Sequence, residues 1–302
     1  RRLWTVLRRD GHPDRRTRII VVMAHPHDEL QRLRTNYSWT LDLECIRENL
    51  FVGPDQVLPP GTFSEDQRDL LGQEDGGGSW WFDTRNQLIS RMLSKFGNGE
   101  CLWEIGSGAG AVGCHLIEQG HSCIGIEPYS NGATISASRG LPSIRSGLES
   151  LQLPSESLGQ IGMFDVLEHV EQREPFLGEI NRLLKPGGNL YLTIPALNML
   201  WSEADVRNRH FLRYSRRTIV RELDRAGFTV VSVRYFFVSL VVPLLLLRAV
   251  PYRLGVNVTR TDQRLLVLKG GFFGKMLCEA ELLLSSFAPI GSSLIVVASK
   301  RV

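Results

Sequence analysis

The sequence predicts an α/β fold with a doubly wound, mostly parallel sheet of seven strands, and three observations carry that expectation. Short apolar runs recur at 101–105, 123–127, 160–164 and 190–194, each of strand length, with stretches able to coil as helices between them. A glycine turn, Gly106-Ser107-Gly108-Ala109-Gly110, follows the first run and leads into a helix-forming stretch from Ala111. The second run ends in an acid, Glu127. Strand, turn, helix and parallel strand is a right-handed crossover, the unit from which such sheets are wound.

In chain order, residues 1–72 look unlike the rest and read as an N-terminal extension. Within it, 18–24 suits a strand and 39–49 a short helix, and Pro54, Pro59, Pro60 and Gly61 break any pattern after that. Asp75-Gly76-Gly77-Gly78-Ser79 is a joint, so the main domain is expected over 73–302. Its first helix, 86–96, carries Leu88, Ile89, Met92, Leu93 and Phe96 at helical spacing and is closed by Gly97 and Gly99. Strands one, two, four and five are the four apolar runs, and a short strand three falls around Ile144. A helix over 216–226, stopped by Gly227, precedes strand six at 228–237, and 294–298 is the last strand. Between those two strands, residues 238–291 form an apolar insertion. Its stretch 272–284 places Phe273, Met276, Leu277, Ala280 and Leu283 at helical spacing.

A length of 302 residues is enough for one large core plus appendages. A net charge of +3 gives no ground for a nucleic-acid partner, so none is expected. The 5 cysteines have no C-x-x-C spacing and read as reduced core thiols, and no secretory signal is visible; the expected compartment is the cytoplasm. Residues 235–247 are nearly all apolar but too short to span a bilayer, which takes about 20 residues. They suit a buried strand running into a core helix or a peripheral contact, over 235–248, with the inner membrane surface.

The chemistry begins at the glycine turn, where bare backbone meets the positive end of a helix. Glu127, at the tip of the second strand, is placed to accept hydrogen bonds from ribose hydroxyls, which implies an adenosine-containing cofactor. Gly108, Gly110 and Gly113 also fit the dinucleotide spacing. Glu104 opposes that reading: a carboxylate there repels a pyrophosphate and holds the ammonium of a methionine moiety. Two further motifs follow in order, Asp165-Val166-Leu167-Glu168-His169 after strand four and Leu183-Leu184-Lys185-Pro186-Gly187-Gly188 before strand five. On these residues, over roughly 73–300, the chain resembles the class I S-adenosylmethionine-dependent methyltransferases. It is most similar to the bacterial small-molecule branch that includes the quinone O-methyltransferases.

The resemblance implies S-adenosylmethionine as cofactor and a last strand that is antiparallel and slotted between strands five and six. It implies a cofactor site of Glu104, Gly106, Ser107, Gly108, Glu127, Pro128, Gly147, Leu148, Phe164 and Asp165. Gly147 stands where many relatives place an adenine-binding Asp, which leaves the adenine to backbone and Leu148. The lead-in Trp80-Trp81-Phe82-x-x-Arg85 resembles a lid over the methionine end, with Trp81 and Arg85 in contact; a plain helix-start staple is the other reading.

On the acceptor side, Asp165, Glu168 and His169 would share one helix face if a helix starts there, an arrangement similar to a cation site of the quinone enzymes. Three ligands on one helix need further partners, so a capping role for Asp165 is preferred and no metal is expected. The loop after strand five carries Trp201, Asp205, His210, Arg213 and Tyr214, with His169, His210 and Tyr214 as candidates for proton removal. The expected reaction moves a methyl group to a small-molecule hydroxyl, on an acceptor that is lipid-linked or quinone-like. A non-catalytic adenosylmethionine-binding subunit and an NAD-dependent oxidoreductase are the alternatives. Ala24-His25-Pro26-His27-Asp28-Glu29 looks like a deacetylase metal motif but lacks the chain length that fold requires.

Overall fold

A computed structural model describes residues 5–8, 19–22, 44–47, 49–53, 79–256 and 272–302. The Ala24 to Glu29 motif and the glycine joint up to Gly78 lie outside the described residues. The chain divides into two compact units: 1–75, 98–160 and 183–185 in the first, and 76–97, 161–182 and 186–302 in the second.

In the first unit, β1 (Thr5–Arg8) and β2 (Ile19–Val22) pair antiparallel as a separate ribbon. β3 (Glu44–Arg47) and β4 (Leu50–Val52) form a second antiparallel pair. The helix expected over 39–49 is therefore strand across Glu44–Arg47. β4 continues into the main sheet by pairing parallel with β7 (Ser143–Arg145), Phe51 opposite Ile144. Leu50 clusters with Ala133 and Ala137 of the Ser130–Ser138 helix, which accounts for the anchoring of so short a strand. The sheet thus gains two strands beyond the seven expected.

β5 (Leu102–Ile105) and β6 (Cys123–Ile126) pair parallel, and β6 pairs parallel with β7. Every residue of β5 and β6 is buried, as expected of a parallel strand covered on both faces. A Cβ on Gly125 in β6 would lie 2.6 Å from Ser107 Oγ, so any other residue there forces its neighbours to shift. β8 (Leu158–Phe164) is buried along its whole length.

In the second unit, β9 (Leu184–Pro195), β10 (Phe228–Phe236) and β11 (Ser293–Lys300) form the antiparallel side. β11 pairs antiparallel with both neighbours, so it lies between β9 and β10. The fold is the α/β Rossmann-like one, mostly parallel, with an antiparallel final strand. The Trp80–Phe96 helix starts six residues earlier than its periodicity indicates and buries Trp80, Leu88, Ile89, Met92 and Leu93. It packs against the Phe272–Leu284 helix, the one the insertion was expected to form. Buried Glu281 on that helix accepts the backbone N–H groups of Val238 and Ser239, at 3.0 and 2.7 Å, and so pins the end of β10.

The apolar run after β10 departs from a buried core helix. Tyr235, Phe236 and Phe237 are buried, and helical turns then run from Val241 to Arg253 with a π turn at Leu245–Ala249. Val242, Leu246 and Leu247 on them are exposed by 60%, 58% and 52%, so this helix turns an apolar face outward. Among the described residues no helix is long and apolar enough to cross a membrane.

Candidate cofactor and acceptor sites

In the first unit the candidate residues follow the ends of β5, β6 and β7. The turn after β5 is tied to the neighbouring strand, because the Gly106 and Ser107 N–H groups both donate to Ile126 O, at 2.8 and 3.2 Å. Gly106 and Gly108 have φ of 73° and 53°, in the left-handed region that favours glycine, and both remain partly exposed. The Glu127 carboxylate accepts Gly108 N–H at 2.7 Å on Oε2 and Tyr129 N–H at 3.0 Å on Oε1. Glu127 is fully buried, so it braces the glycine turn, a role the spacing alone does not show.

Glu104 is also buried, with Oε2 2.7 Å from where a Cβ on Gly113 would stand. That contact explains Gly113 as a packing glycine. The Glu104 charge is felt nearby: burial first, then Glu104, pushes the Cys114 thiol up to about 11, and the same two causes raise Cys123. Ser107 is buried, Pro128 and Gly147 are half-buried, and Leu148 is buried at the start of a 3-10 turn. The residues fit S-adenosylmethionine. Two buried carboxylates beside an open glycine backbone suit a ligand with a sulfonium and an ammonium, and they disfavour a pyrophosphate.

In the second unit Arg85 and Asp165 meet, Arg85 Nη1 donating to Asp165 Oδ2 at 2.6 Å. Arg85 also lies over the Trp81 ring, 4.8 Å from its centroid, and over Phe82, while Trp81 stacks on Phe237. Trp81 and Phe82 thus cover the Arg85 guanidinium. Asp165 has φ of 57° and accepts the Thr193 hydroxyl, and after it the chain makes a 3-10 turn, Leu167–His169. No α-helix begins at Asp165: Val166 precedes the 3-10 turn, so the shared helix face expected for Asp165, Glu168 and His169 does not form, and Asp165 caps no helix. Phe164, the last residue of β8, is buried.

His210 replaces Asp165 in the group. Its ring sits edge-on to His169 with centroids 4.8 Å apart, and Glu168, His169 and His210 offer ligand atoms within 4.8 Å of one another. Such a set could hold a cation. Glu168 is buried with its Oε2 unbonded, and its carboxyl is pushed well above the ordinary range, by burial first and by Asp165 next. Asp205 holds the loop: its Oδ1 lies 2.9 Å from His210 Nδ1 and receives Arg213 Nε at 2.8 Å, and Oδ2 receives the Ser202 N–H at 2.9 Å. Burial pushes the Asp205 carboxyl up, but the His210 hydrogen bond and Arg213 outweigh it and hold it below its ordinary value. Sequence reasoning had Asp205 in the loop and gave it no role. The signal was its i+5 and i+8 spacing to His210 and Arg213.

Tyr214 is the correction. It is fully buried beside β9, its N–H bonded to Pro195 O, and burial pushes its phenol far above the ordinary range. A phenol so hard to ionise cannot remove a proton near neutral pH.

The methyltransferase-domain family matches residues 82–233, half of the chain. A curated relative from Mycolicibacterium smegmatis, described as a probable S-adenosylmethionine-dependent methyltransferase, is 27% identical over 145 residues, 47% of this chain and 55% of the relative. The chain thus spans about half the length of that relative. Among solved structures, the methyltransferase of a Haloferax volcanii complex with the Trm112 activator superposes with a TM-score of 0.53 at 16% identity. That match covers 79% of this chain and 97% of the other. A Haemonchus contortus phosphoethanolamine N-methyltransferase with bound S-adenosyl-L-methionine gives 0.51 at 16% identity, covering 81% and 62%. These likenesses establish the fold. The family match shows that the chain belongs to the methyltransferase-domain family, the S-adenosylmethionine-dependent methyltransferases.

Proposed function

We propose that the protein transfers the methyl group of S-adenosylmethionine to a hydroxyl of a small, largely apolar acceptor. The cofactor residues of this reading are those of the first unit: Glu104, Gly106, Ser107, Gly108, Glu127, Pro128, Gly147 and Leu148. The sulfonium methyl needs no activation. What the protein contributes is alignment and a place for the hydroxyl proton. The observation that carries the reading is the pair of half-buried imidazoles, His169 and His210, in contact after β8 and β9. Imidazole is the side chain best matched to proton removal near neutral pH, which a hydroxyl acceptor requires.

Apolar character in the acceptor is supported by the same loop, where Met199, Val206 and Phe211 are exposed by 42%, 46% and 46%. The outward helix with Leu246 and Leu247 is tied to this loop, since Arg253 donates to Met199 O at 2.9 Å. Such a face suits an acceptor with a lipid tail, met at a membrane surface.

The test is transfer of labelled methyl from S-adenosylmethionine to a panel of prenylated hydroquinones, short phenols and amines, with and without lipid vesicles. Label should appear on prenylated phenols and increase with vesicles. Exclusive labelling of amines would overturn the hydroxyl assignment, and binding of the cofactor without transfer to any acceptor would favour a non-catalytic subunit.

A further inference from the structure

We infer that Asp205 is a positioning residue that locks His210 in one tautomer, with the proton on Nδ1 and the lone pair on Nε2. The inference rests on the reading of His210 as the proton acceptor and deepens it. A carboxylate has about four lone-pair sites. At Asp205 all four are taken: His210 Nδ1 and Arg213 Nε on Oδ1, the Ser202 N–H and hydroxyl on Oδ2. The carboxylate is ionised, because Arg213 and His210 hold it so, and an ionised carboxylate can only accept. The nitrogen facing it must therefore carry a hydrogen. That assigns Nδ1–H to His210 and leaves Nε2 as the single basic site of the neutral ring.

The anchor is rigid as well as charged. The Asp205 side chain is fully buried at 0% exposure, and Ser202 and Asp205 form the capping box of the Glu203–Arg207 helix. Arg213 reaches on to Ala196 O at 3.2 Å, which fastens the loop to the end of β9. Phe211 N–H donates to Glu168 O at 2.8 Å, so the residue after His210 is fixed to the other side of the group. His210 itself is held at 13% side-chain exposure, enough for one edge of the ring to meet a ligand. The charged and titratable groups around it are Asp205, Arg213, His169 and Glu168, with Arg248 feeling Asp205 and Arg213 from the apolar helix. When Nε2 takes a proton, the imidazolium faces a carboxylate already in place, so no reorganisation is needed as charge develops.

The experiment is long-range proton–nitrogen NMR on the protein labelled at histidine nitrogens, through a pH titration, on the wild type, Asp205→Asn and Ser202→Ala. At pH above its titration, wild-type His210 should show Nδ1 protonated and Nε2 bare. In Asp205→Asn the amide can donate to Nδ1, and the proton should move to Nε2 in a large share of the molecules. Ser202→Ala, which removes one hydrogen bond to Asp205 but leaves the pair intact, should keep the wild-type tautomer and so serves as the control for loop damage. Where an acceptor supports turnover, Asp205→Asn should lose roughly a hundredfold in kcat with cofactor affinity unchanged, in line with the worth of a general base. A wild-type Nε2–H tautomer, an unchanged tautomer in Asp205→Asn, or loss of the His210 signals' state on adding a chelator would each overturn the inference. The NMR result does not depend on any acceptor. The expected tautomers together with undiminished transfer in Asp205→Asn would defeat the base reading and leave the Asp205 assignment standing.

Discussion

The residues around the glycine turn and those around His210 are assembled in different ways. The first set is local: Glu104 lies in β5, Gly106 and Gly108 follow it and Glu127 follows β6, and the groups that matter are backbone N–H donors and the carboxylate that braces them. The second set gathers Glu168, His169, Asp205, His210 and Arg213 from two separated stretches, through side chains that bond or touch one another. A backbone site survives many substitutions and fails at its glycines. A side-chain site fails at whichever member holds the others in place.

The largest effect is expected at Gly108→Val. A residue with a Cβ costs about 1–2 kcal/mol in the left-handed region, more for a branched one, and the new side chain would stand where cofactor backbone contacts are made. Isothermal titration should show loss of S-adenosylmethionine binding by roughly a hundredfold or more, with the circular dichroism of the sheet retained. Retained affinity would break the assignment of this turn.

A smaller effect, and one confined to the second set, is expected at Glu168→Gln. The buried carboxyl keeps its proton to well above its ordinary value of 4.5. Between that value and the raised one the unfolded chain has released a proton that the folded chain still holds, so stability falls as pH rises. The slope is about 1.4 kcal/mol per pH unit. Glutamine imitates the protonated acid and should remove that slope. Thermal melts from pH 5 to pH 8 should decline for the wild type and stay flatter for Glu168→Gln; parallel curves would mean that Glu168 is ionised in the native state.

The contrast also explains what could be read in advance. Periodicity located the strands because β5, β6 and β8 are buried along their whole length, and Gly125 and Gly113 sit where a Cβ has no room. The order of the turn, Glu127 and the Asp165 to His169 stretch carried the family. β3 and β4 were missed because their placement depends on Leu50 finding Ala133 and Ala137, a tertiary contact with no local signature. The helix face drawn through Asp165 failed for the same kind of reason. Arg85, eighty positions away, and Thr193 hold that residue in a left-handed conformation. His210 and Tyr214 look equivalent as bases in sequence; burial separates them, one half-buried on Asp205 and the other with no exposure at all.

The central claim is that cofactor binding and proton handling belong to separate sets of residues. The most direct measurement is the affinity for S-adenosylmethionine, by titration calorimetry, in Glu127→Ala and His210→Ala side by side. Glu127→Ala removes the acceptor of the Gly108 and Tyr129 N–H groups and a charged acceptor for the ribose, contacts worth about 1.5–3 kcal/mol. The account predicts that Glu127→Ala binds roughly ten- to a hundredfold more weakly, while His210→Ala stays within about twofold of the wild type, a difference of under 0.5 kcal/mol. Comparable losses in the two variants, or a loss in His210→Ala alone, would contradict it.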